Sequence, residues 1–312
     1  MKHLSWASIF RLGAVQMCLG AIVVLCTSTF NRLMVVEAGL PAVLPGLLVG
    51  LHYAVQITRP TWGYKSDTGG QRTRFIIGGM AVLALGALGA ALGFVLMGSL
   101  FWAGLGVSVM AYAMIGAGVG ASGTSLLALL ATTTHPRRRA AAATITWLMM
   151  IFGIAVTATL VGKALDPYSQ ALLLKVVAVV GVGAVTLTAL AVWGIEARHP
   201  ATPSDDRPLP FRAGMAEIWA EPRARNFTIF IFLSMVAYFM QELILEPYAG
   251  LAFGFTPGQS TQLSGAQNGG VFIGMLTVGI AATGFRIGSL RAWVMAGCGG
   301  SALALLVFSK AL

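Results

Sequence analysis

Between Arg74 and His135 the chain runs for 60 residues without one Asp, Glu, Lys, Arg or His. Soluble domains cannot accommodate such a run, since about a quarter of their residues are charged. Here the charged fraction is 10%, against 57% hydrophobic, and the mean hydropathy is +0.83. A helix of roughly 20 apolar residues crosses a bilayer, so the run holds either two long crossings or three short ones. Three would put Arg72 and Arg74 on the opposite face from Arg137, Arg138 and Arg139, against the positive-inside rule. Two spans are therefore expected, at about residues 75–97 and 100–130.

The same reading places spans at about residues 9–30, 39–57, 140–161, 171–193, 227–245, 263–283 and 292–308, making nine in all. The first is too long for a signal peptide and lacks the small-residue cleavage site. With the N-terminus inside, every lysine and arginine except Arg32, Lys163, Lys175 and Lys310 falls on the cytoplasmic side. That asymmetry accounts for the net charge of +10 without a polyanion, so no nucleic-acid partner is expected. Cys18, Cys26 and Cys298 lie in apolar runs without metal-ligand spacing and read as buried thiols. The expected fold is an all-α integral membrane protein, with a six-helix bundle over residues 1–195. A cytoplasmic linker over 196–225 follows, marked by Pro200, Pro203, Pro208 and Pro210. Residues 226–312 then supply three helices of a second bundle. Within the linker, residues 211–221 read as an interfacial amphipathic helix or as solvated chain.

Between the second and third spans lies a polar island from Arg59 to Arg74. It contains Gly63-x-x-x-Asp67-x-x-Gly70-x-Arg72. The glycines permit a tight turn, Asp67 suits the N–H groups of a helix start, and Arg72 marks the cytoplasmic side. The spacing resembles the signature between helices 2 and 3 of the major facilitator superfamily, although Thr68 and Gln71 replace its usual basic residues. In that family the matching aspartate docks on a later helix. Here Asp67 is expected to find local donors in the 69–72 turn or a neighbouring arginine. A weak repeat also supports two halves: Asn31-Arg32 through Glu37 at the end of the first span, and Gln241-Glu242 through Glu246-Pro247 at the end of the seventh. The superfamily's fold has twelve helices, so the chain reads as nine of them.

Gly118-x-Gly120-x-x-Gly123 matches a dinucleotide fingerprint, but it sits in an apolar span with no preceding strand. Gly116 and Gly120 read instead as a close-packing face. No catalytic triad, carboxylate pair or Cys/His cage is visible, so no enzymatic activity and no metal site are expected.

Polar groups at membrane depth are costly and are the functional candidates. His52 lies about 20 Å into a core of roughly 30 Å, with Gln16, Gln56, Gln267 and Asn268 as neutral companions. Two readings of His52 stand: a ligand to a bound cofactor through one ring nitrogen, or a packed histidine bonded to Gln16 or a carbonyl. At the outer rim Arg32, Glu37, Glu242 and Glu246 form a candidate gate, with Arg32 expected to pair with Glu242.

A narrower resemblance rests on Asn31-Arg32 through Glu37, Leu51-His52-Tyr53-Ala54-Val55-Gln56 and Arg59-Pro60-x-Trp62-Gly63-Tyr64. It continues in Ile76-Ile77-Gly78-Gly79-Met80, Leu245-Glu246-Pro247-Tyr248-Ala249-Gly250 and Thr256-Pro257-Gly258. These segments resemble the PucC family of major facilitator proteins, and most closely its branch once labelled a bacteriochlorophyll synthase subunit. The resemblance implies a location in the inner, intracytoplasmic photosynthetic membrane of a phototrophic bacterium. It also implies bacteriochlorophyll as a bound group, and light-harvesting polypeptides and bacteriochlorophyll synthase as partners. A pigment-handling assembly factor and a secondary transporter of a small hydrophobic or anionic solute are the two functions left open. The scarcity of buried carboxylates in the first six spans favours the former.

Overall fold

The computed structural model describes residues 4–68, 71–198, 216, 219–281 and 287–310. The described residues are helical and connected by short turns, with no strand among them. α1 spans Trp6–Glu37. α2 (Val43–Val55) continues through a 3-10 turn at Gln56–Thr58 into α3 (Arg59–Thr68). Next come α4 (Arg72–Met97), α5 (Phe101–Thr133), α6 (Arg139–Ala164), α7 (Gln170–Val192) and the short α8 (Ile195–Arg198). α9 (Pro222–Phe253), α10 (Pro257–Gly279) and α11 (Leu290–Lys310) complete the chain.

Among the described residues, six stretches are long and apolar enough to cross a membrane: α1, α4, α5, Pro136–Ala164, Gln170–Arg198 and α9. The other three expected spans are helical, and the first two of them fall short for a local reason. The second is cut at Gln56–Thr58, which leaves a 13-residue α2. α10 opens with Gln259, Ser260, Thr261, Gln262 and Ser264. α11 is apolar over Arg291–Leu306, the part of it whose side chains are described. Most of the expected linker, including residues 199–215, lies outside the described residues, as do Gly69, Gly70 and the Asp67 side chain.

In lipid no hydrophobic force pulls helices together, so close backbone approach through small residues does that work. α4 and α5 show it at seven-residue intervals, Gly79, Gly86 and Gly93 facing Gly118, Ala111 and Gly104. A methyl group on Gly86 would lie 2.9 Å from the Ala111 carbonyl, and one on Gly118 2.7 Å from the Gly79 carbonyl. The seven-residue repeat keeps one seam in register along both helices. α1 crosses α6 in the same way, with Gly20 against the Met150 carbonyl and Gly153 against the Met17 carbonyl. The outward surface is apolar, as at Trp102, Val179 and Val182.

The chain divides into two compact units, Met1–Asn268 and Gly269–Leu312. The second holds the last part of α10 and all of α11. The residues of the candidate site lie in the first.

Candidate functional site

α9 is polar inside and apolar outside. Phe227, Phe230, Phe232, Leu233 and Met240 are exposed, whereas its buried residues are Glu242, Glu246, Pro247, Ala249 and Gly250. In a membrane that pattern turns the carboxylates toward protein and the aromatics toward lipid. Glu246 is 0% exposed. Its Oε2 accepts the Thr261 hydroxyl of α10 at 3.3 Å, and that hydroxyl lies 3.3 Å from the Thr29 hydroxyl of α1. A hydroxyl has one proton to give, so the hydrogen bonds run from Thr29 to Thr261 to Glu246. Glu246 Oε1 has no hydrogen-bond partner among the described residues. Thr261, Ser264 and Asn268 follow at spacings of three and four, which sets them on one face of α10, and all three are buried.

Arg32 of α1 is 2% exposed. Its Nη1 donates to Glu37 Oε1 at 2.5 Å and its Nη2 to the Phe255 carbonyl at 2.6 Å. The expected partner of Arg32 was Glu242; the ion pair is instead made within α1, to Glu37. The turn Leu33–Glu37 is π-helical and brings Glu37 round to the Arg32 side. The neighbouring Asn31 donates to the Leu243 carbonyl at 2.6 Å, so the end of α1 is tied to α9 as well. Close by, Tyr168, in the connection between α6 and α7, has its phenol pushed up to about 12 by burial and by the Glu37 charge, against the opposing effect of Arg32.

Lower in α9, Glu242 faces α2. The Tyr53 ring of α2 packs on Phe239 of α9 at 5.2 Å between centroids. Beside Tyr53, His52 is buried at 2% exposure, with Nε2 3.0 Å from Gln56 Nε2. Arg59 donates to Gln56 Oε1, which orients the amide so that its NH2 points at the imidazole. His52 Nε2 therefore accepts, and the ring proton sits on Nδ1, which has no partner among the described residues. Held this way, neither nitrogen offers a free lone pair to a metal. The His52 carbonyl also abuts Gly116 of α5, where a methyl group would lie 2.5 Å from it, and Gly120 packs on Trp62. Gln16 is elsewhere, donating to the Met150 sulfur at 3.3 Å, so it is not the His52 partner. On the outer side of α2 an apolar groove of about 460 Å³ is lined by Leu44, Leu47, Leu48, Leu51, Leu105 and Val109, among others.

At the other end of the bundle, Glu196 of α8 accepts the backbone N–H groups of Arg72 and Thr73, both at 2.8 Å. Gly194, at φ +69°, makes the turn that carries Glu196 back from the end of α7. Arg72 itself reaches α5, donating to the Thr132 hydroxyl at 2.5 Å. Sequence reasoning offered Asp67, whose side chain lies outside the described residues, for a helix start and missed Glu196, which lies more than 120 residues away. It also missed Thr261 and Ser264, whose spacing on a span with few apolar residues was the available signal.

A family model described as PUCC protein matches residues 29–312. A Rhodobacter capsulatus protein named "Bacteriochlorophyll synthase 44.5 kDa chain" is 66% identical over 303 residues, 97% of this chain and 71% of the relative. "Protein PucC" of Cereibacter sphaeroides is 30% identical over 285 residues, 85% of this chain and 61% of the relative. "Protein PucC" of Rhodovulum sulfidophilum is 27% identical over 330 residues, covering 72% of that protein. The chain thus spans between about three fifths and three quarters of the length of these relatives.

Proposed function

The chain belongs to the PUCC protein family, and on that premise we propose that it is a multi-pass protein of the bacterial inner, intracytoplasmic photosynthetic membrane that handles bacteriochlorophyll. In this reading it binds the pigment without chemical turnover and helps deliver it to, or assemble, light-harvesting complexes. Light-harvesting polypeptides and bacteriochlorophyll synthase are the proposed partners. The proposed architecture is that of the major facilitator superfamily, with the N-terminus cytoplasmic and the Arg32 end of α1 outermost. The observation that carries the reading is the 66% identity, over almost the whole chain, to a protein named as a chain of bacteriochlorophyll synthase.

The groove on α2 supports it. Its lining of leucines and valine suits a long hydrocarbon, such as the tail of a tetrapyrrole. His52, one residue from the Leu51 lining, does not fit an axial ligand as it stands, because Gln56 occupies Nε2 and the side chain is buried. Pigment contact is therefore assigned to the groove. The test is an absorption spectrum of the protein purified from a phototrophic host: a bacteriochlorophyll band is expected.

A secondary transporter is the second reading, favoured by one observation. Glu242 and Glu246 are buried inside the bundle, the kind of group that proton-coupled carriers use. A pigment-free protein that moves a solute across proteoliposomes would favour it.

A further inference from the structure

α1 contains two π turns, Leu25–Thr29 and Leu33–Glu37, and Arg32 sits between them. In an α-helix residues five apart stand about 140° apart around the axis, on different faces. A π turn closes i→i+5 bonds and brings such residues together. That bond is present here, from Ala38 N–H to the Leu33 carbonyl at 3.0 Å. The Arg32–Glu37 ion pair therefore depends on π geometry over these few residues. Helices return easily from π to α register, and Glu37 would then swing off the Arg32 side.

A buried guanidinium cannot be left without a carboxylate, and a second one is at hand. Arg32 lies against the face of α9 that carries Glu246: a methyl group on Gly250, one turn along from Glu246, would be 3.3 Å from Nη2. Arg32 Nε and Glu246 Oε1 are both buried, and neither has a hydrogen-bond partner among the described residues. Glu37, by contrast, is 37% exposed at the rim.

We propose that Leu33–Glu37 is a register switch that passes Arg32 between Glu37 and Glu246. In the π form Arg32 is tied to Glu37 and to the Phe255 carbonyl, which joins the end of α1 to the turn between α9 and α10. In the α form Glu37 rotates away, Arg32 turns inward to Glu246, and the Phe255 carbonyl is released, so this end of the bundle opens without stranding a buried charge. The switch stands on Arg32 and its carboxylates alone, and it serves pigment handling and solute transport equally.

The test uses the full chain in membranes, in a Cys298→Ser background because Cys298 is exposed while Cys18 and Cys26 are buried. Val36, which packs on Gly250, is replaced by cysteine and labelled with a membrane-impermeant maleimide. Glu37→Gln should fold and label severalfold faster, since Arg32 moves to Glu246. Glu37→Gln with Glu246→Gln should lose folded yield well beyond the sum of the single changes, and adding Arg32→Gln should restore it. Three results would overturn the proposal: a Glu37→Gln protein as impaired as the double variant, a double variant no worse than the singles, or unchanged labelling in Glu37→Gln.

Discussion

Glu196 caps the first turn of α4 through Arg72, taking the Arg72 and Thr73 N–H groups at 2.8 Å each from a position just after α7. Helix starts leave such donors unsatisfied, and a carboxylate there also meets the favourable end of the helix dipole. Loss of a side-chain cap costs about 1 kcal/mol. Glu196→Ala should therefore lower unfolding stability in detergent by roughly that amount, and Glu196→Gln by less. A midpoint unchanged in both variants would remove Glu196 from this role.

Gly116 is held against the His52 carbonyl, and even alanine there would place its methyl group 2.5 Å from that oxygen. Overpacking of this kind costs roughly 1–3 kcal/mol. Gly116→Ala should be clearly destabilising in a thermal melt, whereas Gly106→Ala, with nothing within 4 Å, should not. Equal melts for the two would mean that α2 and α5 do not approach this closely.

Much of this was legible in the sequence, and the boundary of what was legible is physical. The uncharged run from residue 75 to 134 demanded two long helices, and α4 and α5 are those helices, closed on glycines spaced by seven. Hydropathy alone could not show the 3-10 break at Gln56–Thr58, because a helix can tighten without any change in polarity. Nor does the Arg32-to-Glu37 spacing announce an ion pair, since in an ordinary helix those residues diverge. Pairing of Arg32 with Glu242 was expected from the repeat that relates the ends of the first and seventh spans, and the π turn redirects it. Glu196 was hidden for a different reason: a cap supplied from across the fold leaves no local pattern.

Thr29 and Thr261 meet hydroxyl to hydroxyl at 3.3 Å across α1 and α10. Cysteines at these two positions should form a disulfide under mild oxidation, given the short reach such bonds require. Quantitative cross-linking on a gel is expected with the pair and none with either cysteine alone. Its absence from the pair would place α1 and α10 apart at this level.

His52→Leu separates packing from ligation. Loss of the Gln56 bond should lower stability modestly, while pigment content per protein should hold, because the imidazole is enclosed and its Nε2 is in use. Pigment lost from a variant with unchanged helicity would make His52 a ligand after all.

The central claim is that this chain carries bacteriochlorophyll against the apolar groove of α2 and α5. Leu47 lines that groove and is 68% exposed, so Leu47→Trp fills it without disturbing the core. The decisive measurement is pigment absorbance per protein for wild type and Leu47→Trp, purified side by side from a phototrophic host. A bacteriochlorophyll band in the wild type that falls severalfold in Leu47→Trp is the expected result. Wild-type protein without any pigment band would contradict the account.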